Sequence, residues 1–214
     1  MTEEGLKLKI VVIDYQLGNI NSIINMLKKI GIDAIHSASV DVIQKADKLI
    51  LPGVGAFDHG MKSLQESGLI QILNDEVLVK KKPILGICLG MQLLLNESEE
   101  GILKGLGWID GKSTRFAFEK EHHHLRVPHM GWNVVKFSED VPFMKKDLDE
   151  EKRYYFVHSY HAVCQNKNDV IGTSFHGYEF PAIIGRGNIL GAQFHPEKSH
   201  QYGMQFLKNF IESS

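Results

Sequence analysis

A sharp turn between an apolar run and a helix-like segment constrains this chain more than any other stretch. Pro83-Ile84-Leu85 leads into Gly86-Ile87-Cys88-Leu89-Gly90, and Met91-Gln92-Leu93-Leu94-Leu95 follows. A strand that turns directly into a helix pushes its middle residue outward on a strained backbone. The flanking glycines let the two arms of the turn pass closely without a Cβ clash. Cys88 stands where such an elbow carries its nucleophile. A buried strand cysteine, packed as a small hydrophobe, is the alternative this pentapeptide leaves open.

A cysteine nucleophile needs a base for its proton, and the base needs a partner to orient its ring. The C-terminal stretch Gly191-Ala192-Gln193-Phe194-His195-Pro196-Glu197-Lys198-Ser199 supplies both residue types, just after the apolar run Asn188 to Ala192. Pro196 fixes the backbone between His195 and Glu197, so both side chains can project from one strand end. Taken singly, His195 reads as one of eleven histidines and Glu197 as a solvated acid. With the elbow, three separate parts fit one mechanism.

The rhythm around these motifs is strand then helix. Leu8 to Ile13 reads as a buried strand. A helix follows with Ile20, Ile23, Ile24, Leu27 and Ile30 on one face and Gly31 as a stop. Lys48 to Leu51 is a second strand, ended by Pro52-Gly53. Phe57 to Lys81 is helical with a break near Gly68, and Ile84 to Ile87 is the strand feeding the elbow. This predicts an α/β fold: a mostly parallel central sheet with helices on both faces. After Gly101 the character shifts. Trp132 to Phe137, Tyr154 to Val157, and Ala182 to Ile184 turning back to Ile189-Leu190 predict an antiparallel C-terminal extension. Ser199 is placed to cap a last helix with Met204, Leu207 and Ile211 inward. No repeat or linker interrupts the chain, so residues 1–214 read as one domain.

Composition narrows the class. At 214 residues, 43% hydrophobic and 23% charged, the chain is long enough for one sizeable core. A net charge of −2 gives no reason to expect nucleic acid or an anionic membrane as a partner. The acidic start Met1-Thr2-Glu3-Glu4 is unlike a signal peptide, and no apolar run approaches a membrane span. The two cysteines, Cys88 and Cys164, form no disulfide framework. A reducing cytoplasm is the expected location.

Active groups on such a fold belong outside the carboxyl ends of the strands. Pro52-Gly53-Val54-Gly55 follows one strand, Cys88 another and His195 a third. Glycines there permit a backbone N–H to face a developing oxyanion, although a plain turn explains them as well. Three other patterns carry no chemistry. Gly111-Lys112-Ser113-Thr114 lacks the earlier glycine of a phosphate loop, since residue 106 is Leu106. Gly53-Val54-Gly55 lacks the last glycine of a dinucleotide fingerprint, since residue 58 is Asp58. His122-His123-His124 alternate sides on an extended chain and converge poorly on a metal. No metal or cofactor is expected, and Cys164 has no base nearby in sequence.

Gly86 to Gln92 together with Phe194-His195-Pro196-Glu197 resembles the class I, triad-type glutamine amidotransferases. Pro52 to Phe57, Val127-Pro128-His129-Met130-Gly131-Trp132-Asn133 and Tyr155 to Tyr160 narrow the likeness to the glutaminase subunit of imidazole glycerol phosphate synthase, from Asp14 to Phe210. The resemblance implies that Cys88 attacks the side-chain amide of L-glutamine, His195 carries the proton and Glu197 orients His195. It implies an oxyanion site at Gly53, Val54 and Leu89, and glutamine binding by Gly55, Gln92, His158, Ser159 and Tyr160. It also implies a heterodimer in which Asn19, Trp132 and Lys198 face a (βα)₈-barrel cyclase that receives the ammonia for histidine biosynthesis.

Three departures from the family's usual pattern bear on the partner. Gln16 stands after Asp14-Tyr15 where the family usually has glycine. His161 replaces a second aromatic after His158-Ser159-Tyr160. His200-Gln201-Tyr202-Gly203-Met204 follows Lys198-Ser199. The last is similar to paralogues that supply ammonia for amidino-sugars of surface polysaccharides. A glutaminase-like binding subunit without turnover is a third reading, and the intact Cys88, His195 and Glu197 oppose it.

Overall fold

Four short apolar runs build the centre of the molecule, and every residue in them is buried: β1 (Ile10–Ile13), β3 (Lys48–Leu51), β4 (Ile84–Ile87) and β12 (Ile189–Ala192). The computed structural model describes residues 8–119, 125–138 and 151–213, so the His122-His123-His124 run lies outside the described residues. Strands covered on both faces need no polar alternation, which is why these segments read as continuous apolar runs. Lys48 is the exception. Its Nζ donates to the backbone oxygens of Phe210 and Ser213, which ties β3 to the chain's C-terminal helix.

The remaining strands are β2 (Ala34–Ser37), β5 (Glu97–Ser98), β6 (Gly111–Arg115), β7 (His129–Phe137), β8 (Lys152–His158), β9 (Tyr160–Cys164), β10 (Val170–Phe175) and β11 (Glu179–Arg186). The main sheet has nine strands in the order β2-β1-β3-β4-β12-β11-β10-β7-β8. From β2 through β12 neighbouring strands are parallel, and from β12 through β8 they are antiparallel. This is the expected α/β sheet with an antiparallel extension, except that β12 itself runs parallel to β4 and closes the parallel half. A second sheet, β5-β6-β9, lies apart and has no counterpart in the apolar patterning. Its β6 is Gly111-Lys112-Ser113-Thr114-Arg115, so the segment resembling a phosphate loop is a strand.

Alternate residues of each central strand enter opposite cores. Val11, Ile13, Leu49, Leu51 and Ile84 pack with Phe57, Met61 and Leu64 of α3 (Phe57–Glu66). Ile10, Val12, Ile50, Leu85 and Ile87 pack with Ile23, Met26 and Leu27 of α1 (Ile20–Lys29), and with Phe206, Leu207, Phe210 and Ile211 of the C-terminal helix (His200–Glu212). That helix is α6. The shorter helices are α2 (Val40–Gln44), α4 (Ile70–Asn74) and α5 (Leu89–Leu93). The break near Gly68 divides α3 from α4, with Gly68 at φ +70°. Among the described residues no helix is long and apolar enough to cross a membrane.

Ser199 departs from its expected role. It sits at the N-terminal boundary of α6, but its side chain makes no cap. Instead Oγ donates to the carbonyl of His195 at 2.6 Å and accepts the N–H of Tyr155 at 2.9 Å. The hydroxyl that would have capped α6 braces His195 against β8.

Candidate active site

The parallel strands β3, β4 and β12 lie side by side, so the three segments that leave their carboxyl ends meet in one place. Cys88 follows β4 with φ +53° and ψ −108°, in the left-handed half of backbone space where an L residue is strained. Its N–H is held by Ala192 O at 2.8 Å. The close passage predicted for the flanking glycines is real. A Cβ on Gly86 would stand 2.7 Å from Gly90 O, and one on Gly90 would stand 2.0 Å from Leu51 O. Gly53 is equally confined: a Cβ there would meet Gly90 N and the Tyr15 hydroxyl at 2.8 Å. Tyr15 is buried and donates to Pro52 O at 2.5 Å, which anchors the start of the Pro52-Gly53-Val54-Gly55 segment. Burial and then the nearby Cys88 raise its phenol far above the ordinary range, so it remains a neutral donor.

His195 leaves β12 and is fixed from both sides. Its N–H bonds Tyr155 O at 2.9 Å, and its Nδ1 meets Glu197 Oε1 at 2.8 Å. Glu197 lies on the short 3₁₀ turn Pro196–Lys198, with 1% of its side chain exposed. Asn19, at the start of α1, donates to the same Oε1 at 3.3 Å. Burial alone would strip the charge from His195. Hydrogen bonds to Cys88 and to Glu197 outweigh that and raise it to about 10. For Glu197, burial acts against the anion, but the bond to His195 dominates and keeps its carboxyl below the ordinary range. The result is a buried, oriented imidazole beside a sulfur.

A cavity of about 540 Å³ opens on these groups. Cys88, His195, Val54, Gly55, Leu89, Gln92, His158, Ser159 and Tyr160 all line it, as do Asn19 and Lys198. Of the residues expected from the sequence, Gly53 is set behind this wall against Tyr15 and Gly90, and Glu197 stands behind His195. Gln92, which a surface-helix reading would expose, is buried. Its Nε2 donates to Tyr160 O and to Gln193 Oε1, both at 3.1 Å. Both hydrogens are used, so Oε1 is the atom left for a ligand.

Two residues at the site escaped the sequence patterning. Glu100 lines the cavity and accepts the Phe57 N–H at 2.8 Å. It brings a carboxylate to the cavity wall. Gln193 is fully buried between Gln92 and Cys88. The signal for it is a polar residue inside the apolar run before His195.

Trp132 is 46% exposed, which excludes ordinary core packing. It stacks on His200 at 5.4 Å between centroids and 9° between planes, and it meets Tyr155 edge-on. Lys198 Nζ lies 5.7 Å from the Tyr155 ring centre. Trp132, Tyr155, His200 and Lys198 thus form one cluster, which reaches the cavity at Lys198. The departures noted above each have a place here. Gln16 adopts φ +69°, which explains a preference for glycine at that position. His161 is buried against Phe116 and Tyr178. His200 has φ +46° and carries the ring under Trp132.

A hollow of about 400 Å³ at the start of α1 contains the Asp14–His36 pair and the Ser22 hydroxyl but no cysteine. Burial raises the Cys164 thiol to about 11, which makes it unreactive. Among the described residues no group of His, Cys, Asp and Glu is arranged to hold a metal ion.

The chain matches the "Glutamine amidotransferase class-I" family over residues 11–213. It is 51% identical to the imidazole glycerol phosphate synthase subunit HisH 2 of Methanococcus maripaludis, covering 96% of this chain and 100% of that one. It is 50% identical to HisH 2 of Pseudomonas aeruginosa, covering 95% and 98%, and 48% identical to HisH of Sulfurimonas denitrificans, covering 95% and 97%. Solved structures share the fold at lower identity. A glutamine amidotransferase superposes with TM-score 0.70 at 20% identity, covering 94% and 97% of the two chains. PurLQS from Thermotoga maritima gives 0.70 at 19%, covering 96% and 98%. With these relatives, the chain belongs to the class I glutamine amidotransferase family, among the imidazole glycerol phosphate synthase HisH subunits.

Proposed function

We propose that this chain, acting as a single domain, hydrolyses glutamine through Cys88, His195 and Glu197 and passes the ammonia to a partner subunit of imidazole glycerol phosphate synthase in histidine biosynthesis. Cys88 Sγ attacks the side-chain amide carbon, the C–N bond breaks, and His195 delivers the thiol proton to the departing nitrogen. Water then cleaves the glutamyl thioester to glutamate. The Leu89 N–H and the Gly53–Val54 peptide are the oxyanion donors in this reading. Gln92 Oε1, the 158–160 backbone and the Glu100 carboxylate take the amino-acid end, with Glu100 pairing the ammonium.

The observation that carries this reading is the strained backbone of Cys88 beside a buried His195–Glu197 pair. The electrostatics support the proton's route. Burial lowers the His195 pKa, and bonds to Cys88 and Glu197 raise it. Acylation removes the Cys88 contribution, so His195 becomes more acidic when the leaving nitrogen needs a proton. Replacing Cys88 with Ala should abolish glutamate formation without unfolding the chain. A thiol-alkylating glutamine analogue should label Cys88 and not Cys164. Turnover by the alanine variant, or equal labelling, would remove the assignment.

Ammonia released to water would be largely protonated and lost as a nucleophile, so a partner is expected over the cavity. The Trp132, Tyr155, Lys198 and His200 surface is where a (βα)₈-barrel cyclase would dock. The His200–Trp132 stack also favours a second reading. Because His200 is one of this chain's departures from the family and lies on that surface, the partner is alternatively an amidotransferase of surface-polysaccharide amidino-sugar synthesis. Co-purification from the source cell, followed by glutaminase assay with the recovered partner, separates the two.

A further inference from the structure

Hydrogen bonds with only one possible polarity cross the molecule from β7 to the sulfur of Cys88. Asn133 uses both hydrogens of Nδ2, one on Phe175 O at 2.8 Å and one on His129 Nε2 at 3.1 Å. His129 must then donate from Nδ1, and it meets His158 Nε2 at 3.0 Å. His158 in turn must donate from Nδ1, and it reaches Tyr160 O at 2.8 Å. Tyr160 O receives a second donor, Gln92 Nε2, whose other hydrogen goes to Gln193 Oε1. Gln193 Nε2 donates to Cys88 Sγ at 3.8 Å, within reach for sulfur. Every donor meets an acceptor, and each histidine carries its proton on Nδ1.

The surroundings keep the two histidines neutral, as this polarity requires. Burial, then the nearby His176, lowers His129 to about 4. Burial likewise holds His158 well below the ordinary range, against the opposing bond to Tyr160 O. His176 stacks on His129 at 4.3 Å, and Phe116, Phe156 and Phe180 close the remaining sides.

We infer that Gln193 is a further catalytic residue, steadying the Cys88 sulfur by donation from its amide, and that His129 is a positioning residue that sets the Tyr160 carbonyl in the glutamine pocket through His158. This rests on the glutaminase reading above. Gln193 touches the reacting atom and simultaneously fixes which face of Gln92 meets the ligand. His129 touches no ligand and acts only through its neighbour. The two ends of the chain therefore predict separable defects. Loss of Gln193 alters the thiol, with any effect through Gln92 added to it, whereas loss of His129 alters only the fit of glutamine.

The test uses the subunit with its recovered partner for turnover, and iodoacetamide as a probe of the thiol that needs no glutamine site. Replacing Gln193 with Met conserves volume and removes both hydrogen bonds. It should lower kcat by about tenfold, the worth of one well-placed donor, and displace the pH profile of Cys88 alkylation. Gln193→Glu keeps the shape and the acceptor toward Gln92 but loses the donor, so it should displace that profile as well. His129→Leu should raise KM for glutamine by about tenfold and leave the alkylation profile unchanged. His129→Asn, whose amide nitrogen stands near the former Nδ1, should restore most of the KM. Alkylation profiles unchanged in both Gln193 variants would overturn the first half. An unchanged KM in His129→Leu, or no rescue by His129→Asn, would overturn the second. Cys88→Ala is the control for the parent reading. If it retains turnover, that reading fails; if it is silent while the other variants match the parent enzyme, only this inference fails.

Discussion

Gly90→Ala sets two physical effects against each other. Gly90 lies in α5 and has no positive φ, so helix propensity alone predicts that alanine stabilises by about 1 kcal/mol. The tertiary contact predicts the opposite. The new Cβ would stand 2.0 Å from Leu51 O, with Leu51 C at 3.0 Å and Pro52 C at 3.3 Å. All three are backbone atoms, so no side chain can rotate away. Opening the approach from 2.0 Å to the 3.4 Å of ordinary contact needs a shift of about 1.4 Å. Forcing extra volume into packed structure costs about 1–3 kcal/mol, and a backbone obstacle belongs at the upper end. The clash therefore wins, with a net loss of about 1–2 kcal/mol. The displaced segment, Leu51-Pro52-Gly53, carries the proposed oxyanion donor. Misplacement by about 1 Å costs roughly a hundredfold in rate. Glutamate formation with partner present should fall by that factor, and urea unfolding should show the lost stability. Iodoacetamide should still reach Cys88, which locates the defect on the oxyanion side. A variant more stable than the parent, with turnover within about threefold of it, would refute the clash as the reason glycine stands here.

Trp132→Ala should weaken partner binding by about 2 kcal/mol while leaving the melting temperature of the isolated chain nearly unchanged. A large fall in that temperature would reassign the residue to packing. Gln16→Gly should raise stability by about 1 kcal/mol, because the chain now holds a side chain at φ +69°; a lower urea midpoint would contradict this. Acid should destabilise through His129. Its pKa falls from the ordinary 6.5 to about 4 on folding, so the unfolded chain binds more protons in that window and stability drops as pH falls through it. His195 acts oppositely: raised to about 10, it contributes stability that is complete below its ordinary value and lost as pH rises through about 10. Unfolding series at acid, neutral and alkaline pH check both, and His129→Asn should flatten the acid slope; an unchanged slope would remove His129 as its source.

The central strands and the elbow were legible because their signals are local. A strand buried on both faces must be apolar throughout, so β1, β4 and β12 announced themselves as short runs. A strand that turns directly into a helix needs glycine where its arms touch, so Gly86 and Gly90 framed Cys88. The two-residue spacing of His195 and Glu197 placed the two side chains together in the same local way. Strand β2 was missed because it lies at the sheet edge and carries exposed residues such as Ile35, leaving no apolar pattern. Strands β5 and β6 were missed because one is two residues long and the other is largely polar.

What the sequence by itself determined was therefore the central strands, the sharp turn at Cys88 and the closeness of His195 to Glu197, since each is written in neighbouring residues. Only the tertiary structure decided the partners of single polar side chains. Ser199 could cap α6 or brace His195, and the nearness of Tyr155 from β8 selected the second. Gln92 could face solvent or a cavity, and β9 and β12 closed over it. His129 and His158 are 29 positions apart, and Gln92 and Gln193 are 101 apart. Each pair consists of ordinary residues until strand pairing brings the two together. A hydrogen bond needs its donor and acceptor within about 3 Å, and for residues far apart in the chain only the packed sheet supplies that distance.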